Sequence, residues 1–220
     1  MMPRPAPEAL RRYHASGQWG TRTIAQCIAE QVALRGDKLA ITDNGERALS
    51  YAELDAQAAR LAGFFSRQGI GRGDVVTMHL PNRCEAAVVM LAAWRLGAVL
   101  HPAAPSYGRQ DLAHGMTLCG SKAIVVAARF RSTDYTETLH RLRSEDGIAP
   151  LALVIGQGER QVGIDFEEAL AAAPLARAAA GDADDAAAVL FTSGTESRPK
   201  GVVHTHKTLL FGERTIAATL

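Results

Sequence analysis

The chain has few cysteines, and this scarcity excludes a disulfide-built protein. Its 220 residues include three cysteines, Cys27, Cys84 and Cys119, and no two of them form a Cys-x-x-Cys pair. An odd number of widely separated thiols does not make a disulfide framework and is typical of a reducing compartment. We therefore expect a soluble cytoplasmic protein in which the cysteines are small apolar core residues.

An excess of charge and a long apolar run are also missing. The chain has 24 Lys and Arg side chains against 23 Asp and Glu, which gives a formal net charge of +1. This balance does not favour nucleic acid as a partner. The most apolar stretch begins at Ala86, is shorter than a bilayer span and is interrupted by Arg95. The first residues lack the apolar core of a signal peptide, so the sequence predicts neither export nor a membrane span.

Short apolar segments alternate with helical patterns along most of the chain. The segments DVVTMHL, AVLHP, KAIVVA and LALVIG are too apolar to have a solvent face, and helical patterns separate them. This alternation is typical of a parallel sheet that helices cover on both faces, with right-handed crossovers. The fold class that we expect is therefore α/β, with largely parallel sheets covered by helices.

Capping and turn residues locate some of the element boundaries. Ser50 and Glu53 form a capping box at the start of one helix. Asn82 is the expected cap of the next helix. Asn44 and Gly45 predict a tight type I′ turn between two short strands, because both residues tolerate positive φ angles.

The organisation that we predict has four parts. Residues 1–22 form an N-terminal leader, 23–172 an α/β subdomain, 173–188 an alanine-rich linker, and 189–220 the beginning of a second, incomplete subdomain. The last helical pattern stops at Leu220 without a Gly, Asn or Pro to end it. We therefore expect the chain to be part of a longer protein.

The stretch FTSGTESRPKG, residues 191–201, concentrates groups that bind anions between two apolar segments. Its glycines, Gly194 and Gly201, let the backbone approach a ligand, and Lys200 adds a compact positive charge. Side-chain hydroxyls are offered by Thr192, Ser193, Thr195 and Ser197. It is not a Walker A loop, since Lys200 follows proline and precedes glycine. Composition alone leaves open whether this is a long hairpin loop or a phosphate cradle.

The motif TSGTESRPKG resembles the phosphate-loop signature of the adenylate-forming superfamily, whose usual form is T-S-G-T-T-G-x-P-K-G. The following VVHTH and the upstream segments LSYAELDAQAARLAGFFSRQGIGRGDVV and LPNRCEAAVVMLAAWRLGAVLHPAAPSY fall in the order of that superfamily's N-terminal region. Two positions depart from the signature: Glu196 replaces the second Thr, and Ser197 replaces the usual Gly. Glu196 places a carboxylate beside the phosphate site, so a metal ion or an outward rotamer must offset the repulsion.

The resemblance implies the fold of the N-terminal part of that superfamily's large domain, truncated, and its chemistry. Such enzymes activate a small carboxylic acid with ATP, release pyrophosphate and pass the acyl group to coenzyme A in many cases. The implied phosphate-binding residues are Thr192, Ser193, Gly194, Thr195, Glu196, Ser197 and Lys200, with Mg²⁺ bridging phosphate oxygens. We expect an acyl-CoA synthetase, an AMP-forming acid–thiol ligase of fatty acid metabolism. Its catalytic residues are expected beyond Leu220, so this chain alone is expected to be inactive.

An interpretation from a different class stays open, a truncated, non-catalytic nucleotide-binding or interaction protein. The departures at Glu196 and Ser197 favour it, whereas the intact Ser193, Gly194 and Lys200 favour the enzyme. In either case an incomplete domain should expose apolar surface, so a homo-oligomer is expected. No metal site is predicted. His204 and His206 would share one face of a strand, but no third ligand lies near them in sequence.

Overall fold

A mostly parallel sheet organises the structure, a computed structural model that describes residues 7–15, 19–44, 47–159, 161–179, 181–192 and 199–217. Seven strands form this sheet within the described residues: β3 (Val75–His79), β4 (Val99–Pro102), β5 (Ser121–Ala127), β8 (Leu151–Ile155), β9 (Ile164–Asp165), β10 (Ala186–Phe191) and β11 (Gly201–Thr205). Their order across the sheet is β11-β10-β4-β3-β5-β8-β9. Neighbouring strands are parallel except β10 and β11, which form an antiparallel hairpin.

Helices and two small hairpins complete the described fold. The hairpins are β1 (Leu39–Asp43) with β2 (Arg47–Ser50), and β6 (Arg129–Phe130) with β7 (Thr133–Asp134). The helices are α1 (Pro7–Ala15), α2 (Ile24–Arg35), α3 (Tyr51–Arg67), α4 (Cys84–Arg95), α5 (Arg109–Cys119), α6 (Tyr135–Glu145), α7 (Phe166–Leu170) and α8 (His206–Ala217). None of them is long and apolar enough to cross a bilayer in the part of the chain that is described.

Side chains alternate along β5 between two apolar clusters. Val125 points into a cluster that α3, α4 and α7 share with the sheet, and its neighbours Ile124 and Val126 point into a second cluster with α5 and α6. All three are essentially inaccessible to solvent. A strand buried on both faces has no place for a polar side, which explains its continuous apolar sequence. The predicted α/β class is thereby confirmed.

The order and direction of the strands place the start of the predicted phosphate loop at the carboxyl edge of the sheet. The chain runs from β3 through α4 to β4 and then through α5 to β5, and the two helices cover opposite faces. In such sheets ligands bind outside the carboxyl ends of the strands, near the point where the strand order reverses. Since β10 runs parallel to β4, its carboxyl end lies at that same edge.

Helix caps agree with the sequence in one case and differ in another. The capping box at α3 is confirmed, because Glu53 N donates to Ser50 Oγ over 3.2 Å and Ser50 N donates to the Glu53 carboxylate over 2.8 Å. The expected cap of α4 by Asn82 is wrong. Cys84 N, at the start of α4, donates instead to Asp43 Oδ2 of the β1–β2 hairpin over 3.0 Å. This bond from the backbone of Cys84 holds the pKa of Asp43 below its usual value.

The hairpin and the cysteines give mixed outcomes. Asn44 has the positive φ, 44°, that the predicted turn requires, and Gly45 lies outside the described residues. Cys84 is buried in the α3–α4 cluster as expected, whereas Cys27 and Cys119 are only half-buried.

The alanine-rich segment 173–188 is hydrogen-bonded to two helices of the fold. Leu175 N donates to Ala59 O of α3 over 2.8 Å, and Ala179 N donates to Arg95 O of α4 over 2.8 Å. Its last residues are the beginning of β10, so the boundary predicted at 188/189 falls within a strand of the main sheet. The division of the chain into domains stays a prediction.

Candidate phosphate-binding site

Two of the seven predicted phosphate-binding residues are described by the structure, Thr192 and Lys200. The other five lie outside the described residues: Ser193, Gly194, Thr195, Glu196 and Ser197. Thr192 directly follows β10, and Lys200 directly precedes β11. Thr192 N donates to Lys200 O over 3.1 Å, which joins the two ends of the loop. We call Thr192, Pro199 and Lys200 the loop base; the side chains of Thr192 and Lys200 are exposed to solvent there.

Gly201, the last residue of the motif, has a packing role. It pairs with Phe191 in the antiparallel ladder of β10 and β11. A Cβ at this position would lie 2.9 Å from Val189 Cγ1 and 3.4 Å from Phe191 Cζ. Because a Cβ essentially never sits that close to another atom, a larger residue would force the strands apart. The sequence predicts that Gly201 lets the backbone approach a ligand, which stays a prediction. The structure shows that close packing between β10 and β11 also requires glycine at this position.

A cluster of three rings lies beneath the loop base, and sequence reasoning missed it. The ring centroid of Phe191 lies 5.1 Å from that of His101 on β4 and 6.2 Å from that of His114 on α5. His114 Nε2 lies 3.2 Å from the carbonyl oxygen of Pro199. No pattern in the neighbouring sequence distinguishes His101 and His114 from other histidines, because their contacts with Phe191 form only when β10 pairs with β4.

Buried polar groups continue from this cluster into the sheet. Thr77 Oγ1 lies 3.0 Å from His101 Nδ1 and 2.6 Å from Ser121 Oγ. Burial, with a smaller effect of the nearby His79, lowers the pKa of His101 to about 4, so the ring is neutral at pH 7. Burial also lowers the pKa of His79, whose Nδ1 donates to Ala103 O. The Nε2 atoms of both rings have no hydrogen-bond partner within the described residues.

The two histidines of the VVHTH segment have separate roles. His204 belongs to β11, whereas His206 begins α8, so the expectation that they share one face of a strand is wrong. His206 is buried, its Nδ1 accepts a hydrogen bond from Ile24 N over 3.3 Å, and burial lowers its pKa. In the described residues no group of three or more His, Cys, Asp or Glu side chains could hold a metal ion.

Comparison with known families gives one match that spans most of the chain. The family model described as "AMP-binding enzyme" matches residues 28–219. The matched range includes every helix and strand from β1 to α8 and all seven predicted phosphate-binding positions.

Individual relatives are similar over nearly the whole chain. It is 33% identical over 219 residues to the medium-chain fatty-acid–CoA ligase of Escherichia coli K12, covering 94% of this chain and 37% of that protein. It is 31% identical over 222 residues to the salicyl-AMP ligase / salicyl-S-ArCP synthetase of Mycobacterium tuberculosis H37Rv, covering 99% of this chain and 39% of that protein.

A solved structure shares the fold. The apo structure of Mycobacterium smegmatis MbtA superimposes with a TM-score of 0.83 at 27% identity, covering 96% of this chain and 38% of that one. The chain therefore spans less than two fifths of the length of each of these three relatives.

Proposed function

The chain belongs to the family of AMP-binding enzymes, and from this premise we propose that it supplies the phosphate-binding part of an ATP-dependent carboxylic acid ligase. The observation that carries the proposal is the closed loop base at the carboxyl edge of the sheet. There Thr192 N is bonded to Lys200 O, and both side chains are exposed where a ligand of such a sheet is expected.

The proposed reaction has two steps. In the first, a carboxylate oxygen of the acid attacks the α-phosphorus of ATP, and the bond to the bridging oxygen breaks, so pyrophosphate leaves with the electron pair. The acid has then become an acyl-adenylate, whose carbonyl carbon has a good leaving group. In the second, the thiolate of coenzyme A attacks this carbon and AMP leaves, which forms the thioester.

Lys200 and Thr192 would act on the departing pyrophosphate. A lysine ammonium is a compact point charge suited to phosphate oxygens, and the Thr192 hydroxyl is a donor. Because the hydrogen bond between their backbones fixes the ends of the loop, little reorganisation is needed when negative charge develops. Ser193, Gly194, Thr195, Glu196 and Ser197 complete the proposed phosphate-binding set.

Mg²⁺ fits this arrangement as a partner of the nucleotide. The described residues offer no cage of carboxylates or imidazoles for it. Mg²⁺ is commonly held by substrate phosphates, waters and one or two carboxylates. We propose that Mg²⁺ bound together with ATP would supply positive charge that offsets the Glu196 carboxylate and the β- and γ-phosphates.

A small carboxylic acid is the proposed substrate, and coenzyme A is the proposed acceptor. The names of the relatives mention medium-chain fatty acids, acetyl-coenzyme A and salicylate, which are chemically different acids. What these proteins have in common is an acid that is joined to an activating group or a thiol. We therefore propose the reaction class without choosing the acid.

The experiment that tests the function compares two lysine variants of the protein as its gene encodes it. Lys200→Ala removes the proposed phosphate contact. The control, Lys122→Ala, removes an exposed lysine from the start of β5, where Lys122 pairs with Asp74 over 2.8 Å at the opposite edge of the sheet. Acid-dependent exchange of pyrophosphate into ATP is the assay.

We expect Lys200→Ala to lower kcat/KM for ATP by roughly 10- to 100-fold, because a charge-assisted contact to the phosphates is lost. Lys122→Ala should match the wild type. Equal exchange rates in the wild type and both variants would contradict the proposal and would indicate that the motif is only a turn between strands. Binding of Mg·ATP without any exchange would favour the non-catalytic, nucleotide-binding alternative.

A further inference from the structure

Helix α5 contacts the exit of the phosphate loop through one side chain. His114 is half-buried on α5, and its Nε2 lies 3.2 Å from the carbonyl oxygen of Pro199, 85 residues away in sequence. A carbonyl oxygen only accepts, so Nε2 carries the proton and donates. Pro199 is the residue directly before Lys200. The hydrogen bond therefore fixes the backbone directly before Lys200, the predicted phosphate-binding lysine.

The same side chain contacts the entrance of the loop. The ring of His114 meets that of Phe191 edge to face, with centroids 6.2 Å apart and planes inclined by 72°. Phe191 directly precedes Thr192. His114 thus touches both strand ends that the hydrogen bond from Thr192 N to Lys200 O joins.

The support beneath His114 is rigid. Leu112 and Met116, the neighbours of His114 on α5, are buried in the cluster with α6. Gly115 lies directly against His101, since a Cβ on Gly115 would sit 2.8 Å from Cε1 of that ring. Any side chain at this position would push α5 away from β4. Close packing on both sides therefore leaves His114 little freedom to move relative to the sheet.

We propose that His114 is a positioning residue for nucleotide binding, which holds the loop base in place through its hydrogen bond to Pro199 O. The identity of the ligand rests on the proposed function, whereas the anchoring of the loop base does not. His114 does not touch the phosphates itself. Its hydrogen bond to Pro199 fixes the position of Lys200. Loss of this hydrogen bond should therefore weaken the binding of ATP and leave the binding of the acid unchanged.

Two substitutions separate the hydrogen bond from the ring contact. His114→Phe keeps a ring against Phe191 and removes the donor. His114→Gln restores an amide donor at a similar distance from Pro199 O. The matched control is His140→Phe, which replaces a half-buried histidine on a different helix, α6.

The first measurement uses the ligand-free chain and does not depend on nucleotide binding. We expect hydrogen exchange of the Thr192 amide, followed by NMR, to be about 3- to 10-fold faster in His114→Phe, as the loss of one hydrogen bond implies. His114→Gln and His140→Phe should exchange at the wild-type rate. Circular dichroism confirms that each variant is folded.

The second measurement uses the protein as its gene encodes it and separates KM from kcat in the exchange assay. His114→Phe should raise KM for ATP by about 3- to 10-fold with KM for the acid unchanged, and His114→Gln should recover most of the loss. If exchange at Thr192 and KM for ATP both match the wild type in His114→Phe, the proposal is wrong. An equal rise in both KM values would also contradict it, because that indicates a general effect on folding.

The failure of the two proposals can be told apart. A wild-type protein that binds no Mg·ATP overturns the proposed function. The exchange rate of the Thr192 amide then still decides whether His114 holds the loop base.

Discussion

Replacing Gly63 by alanine is expected to destabilise the protein, although alanine is the better helix former. Gly63 lies in the interior of α3, where the alanine-rich segment crosses it. A Cβ on Gly63 would lie 2.1 Å from the carbonyl oxygen of Ala173 and 3.0 Å from the amide nitrogen of Leu175. Both neighbours are backbone atoms, which have no rotamer through which to move away.

The size of the expected loss of stability follows from how far the alanine-rich segment must move and from the hydrogen bonds that oppose the movement. To accommodate the Cβ, Ala173 O must retreat from 2.1 Å to at least the 3.4 Å at which ordinary contacts begin. That movement opposes two hydrogen bonds, from Leu175 N to Ala59 O over 2.8 Å and from Arg67 to Ala173 O over 3.2 Å. Overpacking of this kind costs about 1–3 kcal/mol. The better helix propensity of alanine offsets about 1 kcal/mol of this cost, so the net loss of stability should be up to about 2 kcal/mol.

Thermal unfolding followed by circular dichroism measures the effect. For a chain of this length the expected loss lowers Tm by up to about 8 °C. Gly212→Ala in α8 is the matched control, because a Cβ there meets nothing within 4 Å. That variant should keep or raise Tm by a few degrees, as the propensity difference of about 1 kcal/mol alone dictates. If Gly63→Ala raised Tm as Gly212→Ala does, the segment would not lie on α3 in solution and the reasoning would be wrong.

Two further predictions concern pH. Asp43→Asn should lower Tm at pH 7, because the carboxylate that caps α4 loses its charge. The gap in Tm should narrow as the pH falls below about 4, since a carboxyl with a lowered pKa contributes stability that is lost on acidification through that pKa. A gap of equal size at neutral and at acid pH would contradict this. The second prediction concerns His101, whose pKa is lowered to about 4 in the folded protein, so that the ring stays neutral above that pH. The same side chain in the unfolded chain takes up a proton below about pH 6.5. The free energy of unfolding should therefore fall by about 3 kcal/mol as the pH is lowered from about 6.5 to about 4. In His101→Phe the free energy of unfolding, measured with urea, should fall less steeply over that range, and an unchanged slope would argue against a buried neutral ring.

Sequence patterns were informative where the physical cause is local. The run AIVVA, residues 123–127 of β5, predicts burial on both faces because every side chain in it is apolar, and the structure confirms this. Ser50 and Glu53 are three residues apart, so their capping box is visible in the sequence. The class of the fold follows from several such local patterns taken together.

Contacts between distant residues could not be predicted in the same way. Asp43 caps α4 from 41 positions away, and His114 meets Pro199 from 85 positions away. Neither residue differs from an ordinary surface Asp or His until the β1–β2 hairpin and β10 take their places. Composition alone also does not show that the alanine-rich segment lies against α3, because alanine and glycine suit a linker and a close contact with a helix equally well. Gly63 and Ala173 show that here the small side chains permit a contact.

Strand β10, which leads into the predicted phosphate loop, is held from both faces of the sheet. On one face, the indole nitrogen of Trp94 on α4 donates to Ala187 O of β10 over 2.9 Å. On the other, His114 on α5 donates to Pro199 O and packs against Phe191. Strand β10 needs this support, because its parallel ladder with β4 has a single registered pair and its other neighbour, β11, is the edge strand of the sheet. If the loop binds phosphate as proposed, its affinity depends on α5 as well as on its own residues, because His114 contacts Pro199, the residue directly before Lys200.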